Sequence, residues 1–188
     1  MLVQSAYLRA IADIVEREQP QVVIEIGAYA GASAVVLSAL GATVFCVDRW
    51  QGGDDSMQHL YDLSGAARVL DAFCRNMQHK LFRNVFPVIG ESSDWARRWP
   101  ADLKADIVYI DAGHRYTDCA TDIMAWRSHL RPGGLLMGHD YSPVYFPAVV
   151  QAVHDMLGEE PTEIWGDIWT WRKPEVLNSQ ESVCHAGT

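Results

Sequence analysis

The chain has 188 residues, 49% of them hydrophobic and 21% charged, with a formal net charge of -9 at neutral pH. This describes one globular domain with a sizeable core. The acidic balance argues against a sequence-independent nucleic-acid binder, which needs clustered Lys and Arg against phosphate. No apolar run is long enough to span a membrane. Cys46, Cys74, Cys119 and Cys184 form no Cys-x-x-Cys pair, which excludes zinc-ribbon and thioredoxin-type sites. Arg9 and Asp13 interrupt the first apolar run, so no secretory signal is read and the expected compartment is the reducing cytoplasm.

Residues 5–18 carry Leu8, Ile11, Ile14 and Val15 at helical spacing, and Pro20 stops that helix. Residues 21–26 are β-branched and continuous, like a strand buried on both faces. A small-residue turn over 27–31 leads to a helix over 32–40, closed by Gly41. Residues 42–48 predict a second strand, 51–63 a polar loop and 64–82 a long helix. Strands are expected at 85–89 and 106–111, with a short helix at 93–99 between them. A helix from about 116 to 130 turns back at Pro132-Gly133-Gly134 into a strand at 135–138. A helix over 146–157 and two short strands around Gly166-Asp167 complete one domain over 1–173, with a polar tail over 174–188.

Strands alternating with helices predict a Rossmann-like, doubly wound α/β fold. The expected sheet has seven strands, mostly parallel, finished by an antiparallel C-terminal hairpin. Ligands of such sheets bind beyond the carboxyl ends of the strands, at the topological switch point. Glu25-Ile26-Gly27-Ala28-Tyr29-Ala30-Gly31 follows the first strand, and its two glycines permit a tight turn and close backbone approach. Asp48-Arg49-Trp50 ends the second strand, where a carboxylate can accept hydrogen bonds from a ribose diol. A dinucleotide fingerprint needs glycine where Tyr29 and Ala32 stand, so a pyrophosphate would be poorly held.

The pattern Glu-x-Gly-x-x-x-Gly, with Asp48 and the closing hairpin, resembles motif one and the layout of class I S-adenosylmethionine-dependent methyltransferases over about residues 20–173. The resemblance implies that Glu25, Gly27, Ala28, Tyr29 and Gly31 surround the methionine part of S-adenosylmethionine. It implies that Asp48 holds the ribose, with Arg49 and Trp50 beside it, and that Glu91 and Ser92 meet the adenine. Trp50 is expected at the mouth, stacking on adenine or lining the substrate site. Glu91 and Ser92 are equally compatible with an N-cap for the helix that follows.

Asp111, and His139 with Asp140, end parallel strands and are expected to converge on the same crevice. Three such donors make a candidate site for a divalent metal, magnesium, manganese or zinc. These segments resemble macrocin O-methyltransferases and cephalosporin-hydroxylase-like proteins and, more distantly, magnesium-dependent catechol O-methyltransferases. In those relatives the matching positions bind a metal, generally with a carboxylate where His139 stands. The departure leaves three arrangements open: a metal that accepts imidazole, a site of two carboxylates, or no metal. The resemblance makes His114 the general base and places Asp111 in both the catalytic and the cofactor sites. His suits that task because its pKa lies near neutrality.

The implied activity is O-methylation of a hydroxyl on a small-molecule acceptor, a sugar or natural product. Two alternatives stand beside it: a cephalosporin-hydroxylase-like enzyme, and a non-catalytic adenosyl-ligand-binding protein. The loop over 51–63 is the candidate lid. Long acceptor-binding insertions are lacking, so a homodimer sharing acceptor contacts is one arrangement to expect. Trp126, Trp169 and Trp171 are read as core residues, and Asp122 is given no role.

Overall fold

The apolar stripe of the first segment folds as α1 (Ala6–Glu18), which buries Ala10, Ile11, Ile14 and Val15. The protein is described by a computed structural model covering residues 6–51, 66–78 and 83–175. The loop expected over 51–63, apart from Gln51, the ends of the helix expected over 64–82, and the tail beyond Glu175 lie outside the described residues.

Gln19, with φ of 47°, and Pro20 end α1, and the chain enters β1 (Val22–Ile26). There follow α2 (Ala32–Leu37), β2 (Thr43–Asp48), α3 (Ala66–Met77), β3 (Val85–Ile89), α4 (Ser92–Arg98) and β4 (Ala105–Ile110). Then come α5 (Tyr116–Trp126), β5 (Leu130–Gly138), α6 (Pro147–Leu157), β6 (Glu163–Trp165) and β7 (Ile168–Arg172). The sheet order is β3-β2-β1-β4-β5-β7-β6. Strands β1 to β5 are parallel, and β7 and β6 add the antiparallel edge. This is the doubly wound, seven-stranded sheet the sequence predicts. The chain winds outward from β1 to β3, then returns to β4 on the other side of β1. That reversal opens a crevice at the carboxyl ends of β1 and β4.

Side chains alternate across the sheet with period two, and each face has its own core. Val23, Val44, Cys46, Ile107, Tyr109, Leu135 and Met137 pack with α1, α2 and α3. Ile24, Ile26, Val47, Val108, Ile110 and Leu136 pack with Ala96, Ile123, Trp126, Ala152 and Val153 of α4, α5 and α6. Trp126 and Trp169 are buried as expected, while Trp171 is half-buried against that second core.

Three boundaries differ from expectation, the first being that the helix expected from about 116 to 130 ends at Trp126 and a 3-10 turn over Arg127–His129 follows. The helix predicted over 32–40 ends at Leu37, where Ser38 caps it. β5 begins at Leu130, so Pro132-Gly133-Gly134 lies within the strand. A register shift between Ala105 and Ile107 absorbs the irregularity. The segment keeps its backbone partners, with Gly133 N donating to Lys173 O at 3.0 Å and Lys173 N donating to Gly134 O at 2.9 Å.

One glycine sets the spacing of β1 and β4 at the crevice. Gly27 has φ of 86°, and a Cβ there would lie 2.2 Å from the carbonyl oxygen of Asp111. Gly41, with φ of 91°, has open space around its missing Cβ. Gly27→Ala should therefore cost about 3 kcal/mol or more in urea unfolding, against about 1 kcal/mol for Gly41→Ala. Equal losses would mean that backbone conformation alone, not the contact with Asp111, requires the glycine.

Candidate active site

The glycine loop and Asp48 form one unit. Asp48 Oδ2 accepts from the backbone N–H of Ala28 at 2.9 Å and of Tyr29 at 3.0 Å, and Oδ1 accepts from Trp50 N at 2.7 Å. One carboxylate thus ties the end of β2 to the loop after β1. Gly31 serves packing rather than the crevice. A Cβ there would meet Met77 Cε at 2.8 Å and a Phe73 ring carbon at 3.0 Å, so its lack of a side chain lets α3 close over the loop.

The cleft at the switch point has a volume of about 660 Å³. Gly27, Ala28, Tyr29, Asp48, Arg49, Glu91 and Ser92 line it, with Asp111, His114, His139 and Asp140 at the ends of β4 and β5. Besides Gly31, two expected members sit elsewhere. Trp50 is buried, with φ of 52°, donates from Nε1 to Tyr29 O at 2.7 Å and packs on Phe73 at 5.0 Å between ring centroids. The left-handed backbone turns its indole under the loop and away from the mouth. Glu25 is fully buried beneath the cleft floor, where the hydroxyl of Ser33 and the thiol of Cys46 donate to its carboxyl. Burial is the largest influence on Glu25 and outweighs these donors. Together with the charges of Asp111 and Asp48 it pushes the carboxyl up to about 7.

Acids and imidazoles gather at the ends of β4 and β5. His139 Nδ1 lies 3.4 Å from Asp111 Oδ1 and 3.4 Å from Asp140 Oδ1. His114 Nε2 lies 2.7 Å from Asp140 Oδ2, and the His114 ring packs on Phe146 at 4.8 Å. Tyr109 donates to Asp111 Oδ2 at 3.0 Å from below. Burial opposes charge on His139, but hydrogen bonding and attraction to Asp111 and Asp140 win and raise its pKa to about 10. Burial likewise opposes charge on Asp140, and the hydrogen bonds from His114 and His139 overcome it, holding Asp140 well below the usual carboxylate range. His139 Nε2 is sealed from solvent without an aligned hydrogen bond, although Asp167 Oδ2 lies 3.1 Å away.

One donor atom from each of Asp111, His139 and Asp140 falls within 4.8 Å of the others, which fits a divalent ion. A mixed nitrogen and oxygen donor set suits zinc or another first-row transition metal better than magnesium.

At the other end of the cleft, Ser92 Oγ donates to Asp122 Oδ1 at 2.6 Å, and Arg49 pairs with Glu91 at 3.0 Å near the rim. Burial, the largest cause, pushes Asp122 up to about 6 against the Ser92 hydrogen bond, with the charges of Asp118 and Glu91 adding to the rise. Tyr7 and Phe146 are cleft residues that sequence reasoning missed, and Asp122 is one to which it gave no role. Asp122 had a signal: it is the one acid on the face of α5 that also buries Cys119, Ala120, Ile123 and Trp126. Tyr7, whose ring packs on His139 at 4.7 Å, had none, because nothing local shows that α1 reaches the cleft.

Comparisons with known proteins agree with the fold. A family model described as "Methyltransferase domain" matches residues 24–141, more than half of the chain. The comparison with curated proteins returned no match. Among solved structures, the chain is similar to a Staphylococcus aureus protein provisionally described as a caffeoyl-CoA O-methyltransferase. The identity is 14% and the TM-score 0.67, over 92% of this chain and 85% of that one. It is similar to the O-methyltransferase NovP at 17% identity and TM-score 0.63, over 90% and 80% of the two chains. It is also similar to an O-methyltransferase from Bacillus cereus solved in complex with SAH, at 16% identity and TM-score 0.62, over 83% and 69%. At these identities the likenesses establish a shared fold.

The buried Glu25 carries a pH signature. Unfolded, its carboxyl releases a proton near 4.5; folded, it keeps that proton to about 7. The native state therefore binds more protons between those values, and its stability falls as pH rises through them. Above the window the cost is on the order of 3 kcal/mol. Glu25→Gln should remove this slope, so the variant gains on the native protein between pH 4 and pH 8 in chemical denaturation. Parallel stability curves would mean that Glu25 ionises freely in the fold.

Proposed function

The chain belongs to the methyltransferase-domain family, and we propose that it methylates a hydroxyl of a small molecule, a sugar or natural-product scaffold, using S-adenosylmethionine. A divalent metal at Asp111, His139 and Asp140 assists. The observation that carries this reading is the meeting, in one cleft, of the Gly27 loop with Asp48 on one side and the Asp111-His139-Asp140-His114 cluster on the other.

S-adenosylmethionine is a cation at its sulfonium and its ammonium, and the cleft supplies matching charge. Asp48, Asp111 and Asp140 line the floor, with Glu25 beneath. The cavity size lies within the range of about 300–1,000 Å³ usual for small-molecule sites. Backbone groups of Gly27, Ala28 and Tyr29 surround the methionine part. A carboxylate offers roughly four lone-pair sites, of which Asp48 uses three on the loop, leaving it a site for a ribose hydroxyl. Glu91 and Ser92 face the adenine.

The bound cofactor supplies an electrophilic methyl group, and a bound divalent metal lowers the pKa of a hydroxyl coordinated to it. The protein's own part is to hold the acceptor oxygen in line and to move its proton. His114 takes that proton, and Asp140 Oδ2, 2.7 Å from Nε2, stabilises the resulting imidazolium. Contact with Phe146 fixes the plane of the ring.

The test is transfer of labelled methyl from S-adenosylmethionine to a panel of hydroxylated acceptors, with zinc, manganese or magnesium added. His114→Ala should lower turnover by about 100-fold or more and leave affinity for S-adenosylhomocysteine nearly unchanged. A matching loss of affinity would instead make His114 structural. Asp48→Ala should weaken cofactor binding by about tenfold or more, as loss of hydrogen bonds to a charged group does. Unchanged affinity would remove Asp48 from the cofactor site.

A further inference from the structure

Asp122 projects from α5 into the cleft, yet neither the proton transfer nor the metal cluster uses it. It ends a hydrogen-bond chain whose direction is forced. The Trp126 indole can only donate, and its Nε1 gives its hydrogen to Ser92 Oγ at 2.7 Å. The Ser92 hydroxyl is thereby left to donate onward, to Asp122 Oδ1 at 2.6 Å. No other described side chain donates to Asp122.

The strand order places this group relative to a nucleoside. β3 lies next to β2, on the side away from β1. A ribose held at Asp48, the end of β2, therefore points its base toward the end of β3, where Gly90, Glu91 and Ser92 line the cleft. The Asp122 carboxyl, hydrogen-bonded to Ser92, stands over that position. We infer that Asp122 reads the 6-amino edge of the adenine: Oδ1 is held by Ser92, and Oδ2 accepts from the exocyclic amine. The inference rests on the adenosyl-ligand reading above. A 6-oxo base would set its carbonyl oxygen against this acceptor and leave both unpaired, which is how a polar site rejects a near-isostere.

The fixed direction of the chain makes a sharp test. In Asp122→Asn the amide oxygen must face the Ser92 hydroxyl, so the amide nitrogen, a donor, faces the base. The variant should then accept a 6-oxo base better than a 6-amino one.

The experiment is calorimetric titration of the full-length protein and of Asp122→Asn. The probes are S-adenosylhomocysteine, its 6-oxo counterpart S-inosylhomocysteine, and the analogue with an unsubstituted purine. The native protein should bind the amino form about tenfold or more tighter than the oxo form, with the unsubstituted purine between. Asp122→Asn should shrink that ratio by about tenfold or invert it, which a purely structural Asp122 would not do. An unchanged ratio in a folded variant overturns the inference. If the variant does not fold, the native series decides alone: oxo binding as tight as unsubstituted purine overturns the inference, and the order amino, unsubstituted, oxo supports it. Failure of the native protein to bind S-adenosylhomocysteine at all overturns the adenosyl-ligand reading and this inference with it. That outcome is distinct from binding without base preference.

Discussion

Gly27 and Asp111 meet backbone to backbone at the point where the sheet reverses its winding, with no room for a methyl group between them. The rest of the cleft depends on that contact. On the β1 side it fixes the loop that Asp48 ties to β2. On the β4 side it fixes Asp111, whose backbone N–H bonds to Ile26 O at 2.8 Å, and through β5 the pair His139 and Asp140. The glycine loop and the cluster of acids and imidazoles are thus held at one distance by this main-chain contact. Main-chain placement suits a site whose work is alignment, because ladder hydrogen bonds move less than side chains do.

Charge is the second organising element. Glu25, Asp48 and Asp111 lie close enough that the latter two raise the pKa of the buried first. Nearby, His139 carries its proton between two carboxylates. A proton on His139 and a cation among Asp111, His139 and Asp140 are alternative ways to balance the same negative charge, so a metal bound there would displace a proton. The polar groups that escape this cluster form a separate chain through Ser92, Asp122 and Trp126. The cleft therefore has an acidic centre and, at its far end, a wall of directed hydrogen bonds that runs from Trp126 through Ser92 to Asp122.

Most of the fold was legible because it is written in short-range patterns. The β-branched run at 22–26 and the continuous apolar runs in β4 and the second half of β5 identify strands buried on both faces, and the Gly-Asp pair at 166–167 marks the hairpin. The convergence of Asp111, His139 and Asp140 followed from strand ends alone, while His114 was singled out by the family resemblance. Long-range packing was not legible. Trp50 follows Asp48 so closely that it reads as a mouth residue, but its left-handed backbone turns the indole inward onto Phe73. Glu25 belongs to the ligand motif by spacing, yet it sits on a central strand facing a covered layer, where period two buries it. Tyr7 reaches His139 only because α1 packs across the sheet, which no local pattern encodes. Pro132-Gly133-Gly134 reads as a turn, and only its partners beyond β7 keep it in the strand.

The central claim is that this cleft holds an adenosyl-sulfonium cofactor. Its most direct test is calorimetric titration of the purified protein with S-adenosylmethionine, first in chelator and then with zinc or magnesium. One-to-one binding in the micromolar range, about -8 kcal/mol, is the predicted result. Absence of binding in every condition, by protein shown to be folded and free of carried-over ligand, would contradict it.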